Sequence, residues 1–161
     1  MKKLLPIITL FLIGCGQGFE VKQVRNVEPL LENYVKEFED TYQVNVNYTV
    51  KFGTLENNVV GNCYIKGSKK TVTIDTEFFE YYENNEGALH QLVFHELGHC
   101  SFLLGHNDEI NNQGYEKSIM NSYAFGMFTY YMQNLDYYVN SLGDQRAVPW
   151  NSEINWSCKH E

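Results

Sequence analysis

Basic side chains are scarce in this chain: 12 lysines and arginines stand against 20 aspartates and glutamates in 161 residues, a net charge of −8. A surface so acidic argues against nucleic acid as a partner and against adsorption to anionic lipid headgroups, because both need cationic clusters, and no such cluster occurs. The chain also lacks an apolar run long enough to span a bilayer as a mature helix. It has no internal repeat, no low-complexity tract and no recognisable inhibitory prosegment. Its length leaves room for one compact domain with a real core but not for two independent ones.

The longest apolar run, Leu4 to Ile13, is broken only by Pro6 and Thr9, follows Lys2 and Lys3 and ends at Gly14-Cys15. This is the pattern of a secretory signal peptide covering residues 1–14. Leu12-Ile13-Gly14-Cys15 resembles the bacterial lipobox, which implies cleavage before Cys15 and acylation of its thiol. Acyl chains would hold the protein at a membrane without a transmembrane helix. Gly16 is not acidic, which by the same resemblance favours the outer membrane, on its periplasmic or surface face. Residues 15–26 then read as the lipidated cysteine and a tether, and 27–161 as the functional domain. Export also allows two of the remaining cysteines, Cys63, Cys100 and Cys158, to pair. Cys63 with Cys100 is the favoured pair, tying a strand to the end of a helix, and Cys158 could replace either.

The most informative residues are His95-Glu96-Leu97-Gly98-His99, followed by His106 and by Ser118-Ile119-Met120-Asn121. At about 100° per residue, positions i and i+4 share one helix face, so His95 and His99 can point at one ion. Glu96 is offset so that its carboxylate stands beside the metal, placed to act as general base and then acid. Leu89, Leu92, Val93, Leu97, Phe102 and Leu103 can line the buried side of the same helix. Gly105 offers a helix stop. Without a turn there, His106 would lie roughly 10 Å along the axis from His99 and could not share its metal.

This segment resembles the metzincin clan of zinc endopeptidases, whose motif is H-E-x-x-H-x-x-G-x-x-H followed by a methionine turn. His95, Glu96 and His99 align with it, Phe102 stands where the clan has glycine, and His106 falls one residue late. Ser118-Ile119-Met120 is similar to the methionine turn, with Met120 as an apolar base under the metal. The resemblance is specific from Leu92 to Tyr123 and diffuse elsewhere. It implies zinc held by His95, His99 and His106, with Glu96 as the catalytic carboxylate. Tyr123, three residues past Met120 where the relatives' offset is two, is by the same resemblance a candidate for stabilising a transition-state oxyanion. Asp108 is a chemically acceptable third ligand in place of His106, and a different zincin plan would use Glu109 or Glu116. His90, alone on a helix flank, reads as a solvated or hydrogen-bonded residue rather than a ligand, and Met120 by itself would read as core filler. Cys100 follows His99 and so points roughly 100° away from the ion.

Periodicity predicts a helix over 28–42, with Pro29 in its first turn, then a strand over 43–52 that alternates Val44, Val46, Tyr48, Val50 and Phe52. Strands are expected at 59–65 and 70–75 around a Gly67-Ser68 turn, and a short helix or substrate-side wall at 78–82. A metal-bearing helix over 88–104, a polar loop over 107–117 and one long helix over 127–142 follow. The tail with Trp150 and Trp156 reads as irregular. The expected architecture is a single small α+β domain, metzincin-like, with a mixed sheet, active-site helix, methionine turn and C-terminal helix.

These readings converge on a lipid-anchored zinc endopeptidase of the cell envelope acting on peptides or proteins, with 70–75 as the candidate edge strand for an extended substrate. A zinc-dependent amidase of cell-wall peptides uses the same chemistry. A catalytically inactive metal-binding lipoprotein is the alternative that the displaced His106 favours, whereas the intact Glu96 speaks against it. A purely structural lipoprotein would leave the three histidines, the glutamate and the methionine turn unexplained.

Overall fold

The computed structural model of the chain describes residues 24–124, 126–143 and 153–160. The expected signal peptide, Cys15, most of the expected tether and Trp150 lie outside those residues. None of the described helices is long and apolar enough to cross a membrane.

A five-stranded mixed sheet packs on helices. Strand β1 (Asn26–Val27) pairs in parallel with β2 (Thr49–Gly53), and β2 pairs in parallel with β4 (Lys69–Asp75). Strand β3 (Val59–Lys66) runs antiparallel to β4 through a turn in which Gly67 takes φ +58°, and β5 (Glu153–Lys159) runs antiparallel on the far side of β3. The order is β1-β2-β4-β3-β5. Residues 70–75 therefore lie inside the sheet, and the expectation that they form the free edge is wrong. The pairing that moved them inward is non-local and leaves no mark in their own sequence.

Pro29–Leu31 forms a 3-10 turn that leads into helix α1 (Glu32–Tyr42). Leu31, Val35 and Phe38 recur at i, i+4 and i+7 and are fully buried. The alternation expected over 43–52 holds as burial, since Val46, Tyr48 and Val50 all face the core. The strand ladder, however, begins only at Thr49. Before it, Gln43 caps α1 in the left-handed region and the Val46 N–H donates to Glu39 Oε1 instead of to a strand.

Helix α2 (Thr76–Tyr81) starts at Asp75, whose carboxylate accepts from the Phe78 N–H at 3.0 Å. Helix α3 (Glu86–Phe102) starts at Asn85, whose side chain accepts from Ala88 N. Every residue from Gly87 to Cys100 is buried, so this stretch of α3 has no solvent face on which its charged and polar members could meet water. It ends at Leu103, which takes φ +58° and donates its N–H to the His99 carbonyl. The left-handed stop thus falls on a leucine two residues before Gly105, where the sequence placed it.

The long closing helix is two pieces, α4 (Phe128–Gln133) and α5 (Leu135–Gly143). The break is at Asn134, whose side-chain amide donates to the Tyr130 carbonyl and competes with the helical ladder. The described part of the tail is a strand rather than irregular: Ile154, Trp156 and Cys158 alternate on one side of β5 and turn inward.

Candidate metal centre

Helix α3 fixes His95 and His99 one turn apart, and each imidazole is oriented by its own second nitrogen. His95 Nδ1 lies 2.8 Å from the Ile119 carbonyl and His99 Nδ1 lies 2.5 Å from the Leu104 carbonyl. A carbonyl only accepts, so in both rings Nδ1 carries the hydrogen and Nε2 presents a lone pair. The two Nε2 atoms face each other at 2.9 Å, and His106 Nε2 is 3.2 Å from that of His99. The ligand atoms of all three histidines lie within 4.8 Å of one another.

Convergent lone pairs at this distance repel unless a cation sits among them. Burial disfavours a proton there: it drives His95 down to about 3 against the opposing Ile119 bond, and it lowers His99 and His106 as well. A divalent metal satisfies the same lone pairs without protonating the rings, and neutral imidazoles oriented by carbonyls are its usual ligands. The donor set therefore fits a bound metal.

The second wall is the turn after the polar loop. Ser118 Oγ accepts from Met120 N at 3.0 Å, and the Asn107 N–H donates to the Met120 carbonyl, which ties this turn to the loop carrying His106. Met120 is fully buried against α3 at Gly98, where a Cβ would come within 3.0 Å of its sulfur. Asp108 is held elsewhere, accepting from Ser122 N at 2.7 Å and from Ser122 Oγ at 2.8 Å. Glu109 pairs with Lys117. Tyr123 is 44% exposed and its backbone bridges to Lys159 of β5.

Glu96 is buried completely, and among the described residues neither carboxylate oxygen has a hydrogen-bond partner. Burial raises its pKa well above the ordinary carboxylate range, and the Cys158 backbone, beyond hydrogen-bond geometry, opposes this only in part. Glu96 lies under Gly61 of β3, where an added Cβ would meet Oε1 at 2.5 Å, so only glycine admits the carboxylate there. Cys158 is a free buried thiol whose sulfur stands within 4.8 Å of ligand atoms of both His95 and Glu96. Its pKa is raised by burial first and then by the carboxylates of Glu96 and Asp108.

The sequence offered Cys158 only as an alternative disulfide partner and Trp156 only as part of an irregular tail, although Ile154-x-Trp156-x-Cys158 carries the period of a strand. Cys63 and Cys100 are joined in a disulfide that ties β3 to the end of α3, with their Cα atoms 5.7 Å apart. His90 is buried, with Nδ1 at 2.8 Å from the Tyr131 hydroxyl, Nε2 at 3.2 Å from Glu37 and its ring stacked on Phe94. A cavity of about 590 Å³, lined in part by Val60, Asp75, Phe78, Tyr82 and His160, opens at the start of β3, and none of the three histidines is among its walls.

Fold and site together define an α+β chain with a three-histidine cluster able to hold a metal ion. The chain matches no protein-family model, and neither the curated proteins nor the solved structures contain a match to it.

Proposed function

We propose that this protein is a zinc-dependent endopeptidase of metzincin-like plan, anchored at the cell envelope through an acylated Cys15. The observation that carries the reading is the meeting of three imidazole Nε2 atoms, two of them in rings whose Nδ1 hydrogens are fixed on the carbonyls of Ile119 and Leu104. His95, His99 and His106 would hold the ion, leaving a fourth position for water or substrate. Bound zinc would supply Lewis acidity toward a peptide carbonyl.

Glu96 is the one carboxylate on the metal helix beside this cluster. As general base it takes a proton from the attacking water, and as general acid it returns that proton to the leaving amine. Its raised pKa suits the second half of that cycle, whereas accepting the proton requires the site to open to solvent. Met120 contributes an apolar floor, and Tyr123, near the same turn, remains the candidate for oxyanion stabilisation.

A catalytically inactive metal-binding lipoprotein is the second reading, and the complete burial of Glu96 favours it. The test is zinc content by mass spectrometry on the purified protein, with casein cleavage followed for the parent, Glu96→Ala and His106→Ala. The peptidase reading expects one zinc per parent chain, retained without cleavage in Glu96→Ala and depleted in His106→Ala. A parent without zinc would sink it, and a zinc-loaded parent as inert as Glu96→Ala toward casein and cell-wall peptides would leave the binding module.

A further inference from the structure

We propose that β5 is an intramolecular strap, the chain's own C-terminal strand lying where an extended peptide would have to lie to reach the metal centre. This rests on the peptidase reading and names the state that precedes it.

Strand β5 is bonded on both sides of the site. Along one side it pairs antiparallel with β3 from Lys66↔Glu153 to Val59↔Lys159. At its other side Ala124 N donates to the Lys159 carbonyl at 2.7 Å, and Lys159 N donates to the Ser122 carbonyl at 3.0 Å. It thus bridges the sheet and the segment that follows Met120, the two walls between which a substrate strand would be held. Its inward side chains fall on the chemistry: Trp156 stacks on His99 and Cys158 stands beside Glu96 and His95.

The consequence is a site that no peptide can enter. Glu96, His95 and His99 are fully buried, while His106 alone of the cluster is exposed. The carboxylate assigned to proton transfer is sealed between Gly61 of β3, Leu92 of its own helix and the Cys158 segment of β5. Of these covers, β3 is held by the disulfide to α3 and Leu92 belongs to α3, so β5 is the one whose departure leaves the metal helix intact. Its departure also frees the outer edge of β3, and a free strand edge is a template for an extended peptide.

The outward bonds of the strap are exposed and separable from the site. Glu153 pairs with Lys66 at 3.3 Å and accepts from the Tyr64 hydroxyl, and the Asn62 amide donates to Asn155. Two variants of the full-length protein in detergent use them, with the histidines, Glu96, Trp156 and Cys158 unchanged. Glu153→Lys with Asn155→Ala loosens β5. Lys66→Cys with Glu153→Cys puts thiols at paired positions and, once oxidised, bolts β5 to β3.

Zinc content, alkylation of Cys158 by iodoacetamide and casein cleavage are measured on each. We expect the loosened variant to keep its zinc, alkylate at Cys158 at least tenfold faster and cleave at least tenfold faster than the parent. The bolted variant should keep its zinc and cleave at least tenfold slower. A bolted chain, its bridge verified by mass, that cleaves as fast as the parent overturns the strap. So does a loosened, zinc-loaded chain that alkylates faster without cleaving faster, and so does unchanged alkylation, since a strand held that firmly is ordinary core. A parent that holds no zinc is a different failure, because it sinks the peptidase reading itself.

Discussion

Trp156 lies flat against His99, their ring centroids 4.9 Å apart and their planes 8° from parallel. One ring belongs to α3 and the other to β5, 57 residues further along the chain, so the histidine cluster and the strand over it are packed as one unit. Removing or relaxing either side should be readable in metal content, stability and activity separately.

The choice of third ligand is tested by comparing His106→Ala with Asp108→Ala. The first removes an Nε2 that converges on the other two, and the second removes a carboxylate occupied by Ser122. Zinc affinity should fall at least 100-fold in the first and by less than tenfold in the second, measured by competition with a chromogenic chelator.

Glu96 is retained at the expense of stability. A buried polar group without a partner costs about 1–3 kcal/mol, and among the described residues both oxygens of Glu96 are in that state. Replacing it with methionine, of similar length, should raise the stability of the metal-free protein by about that amount in urea unfolding. The same change should abolish cleavage. A loss of stability would show that the carboxylate has a partner in solution.

Gly61→Ala probes the close approach of β3 to that carboxylate. The new methyl group would lie 2.5 Å from Glu96 Oε1 and 2.7 Å from Leu92 Cδ1. Overpacking of this kind costs about 1–3 kcal/mol. Displacement of Glu96 should lower casein cleavage at least tenfold with zinc content unchanged.

Opening the bridge between Cys63 and Cys100, 37 residues apart in sequence, releases β3 from the metal helix. Loop-closure entropy for a ring of that size predicts a loss of about 4 kcal/mol for Cys63→Ala with Cys100→Ala, read from the urea midpoint.

His90 sets a pH dependence away from the metal. Burial first, opposed by Glu37 and then Glu86, holds its pKa below the ordinary 6.5. The unfolded chain therefore takes up this proton before the folded one does. The stability it contributes is fully present above pH 6.5 and is lost as pH falls from there toward the folded pKa, at no more than about 1.4 kcal/mol per pH unit. The stability advantage of the parent over His90→Gln should shrink between pH 7 and pH 5, and an advantage that grows on acidification would contradict the assignment.

Local signals were legible where the physics is local. Pro29 announces a helix start because its fixed φ suits a first turn, where its missing N–H leaves no helical bond unmade. The spacing of His95 and His99 specifies a shared face because the helix repeat alone determines it, and the same repeat offsets Glu96 by about 100°. The α+β class, the hairpin around Gly67 and the helix over Glu32–Tyr42 follow from the same short-range rules.

Other features needed the folded chain. The stop at Leu103 rather than Gly105 is dictated by the return of the loop to Met120, which outweighs the backbone preference of a leucine. The split at Asn134 depends on one amide choosing a carbonyl within its own helix. The alternation of Ile154, Trp156 and Cys158 was visible, but its partner was not, since a strand's neighbours are chosen by pairing across the whole domain.

By itself, then, the sequence determined a face shared by His95 and His99 on a helix with a buried side, an acidic composition and the periods of most of the elements. Only the tertiary structure decided that His106 meets the other two histidines, that Lys69–Asp75 is interior and that β5 lies across Glu96. The first group depends on contacts within a few residues, whose geometry the backbone repeat imposes. The second depends on which distant surfaces bury one another, and that is settled by the packing of the domain as a whole.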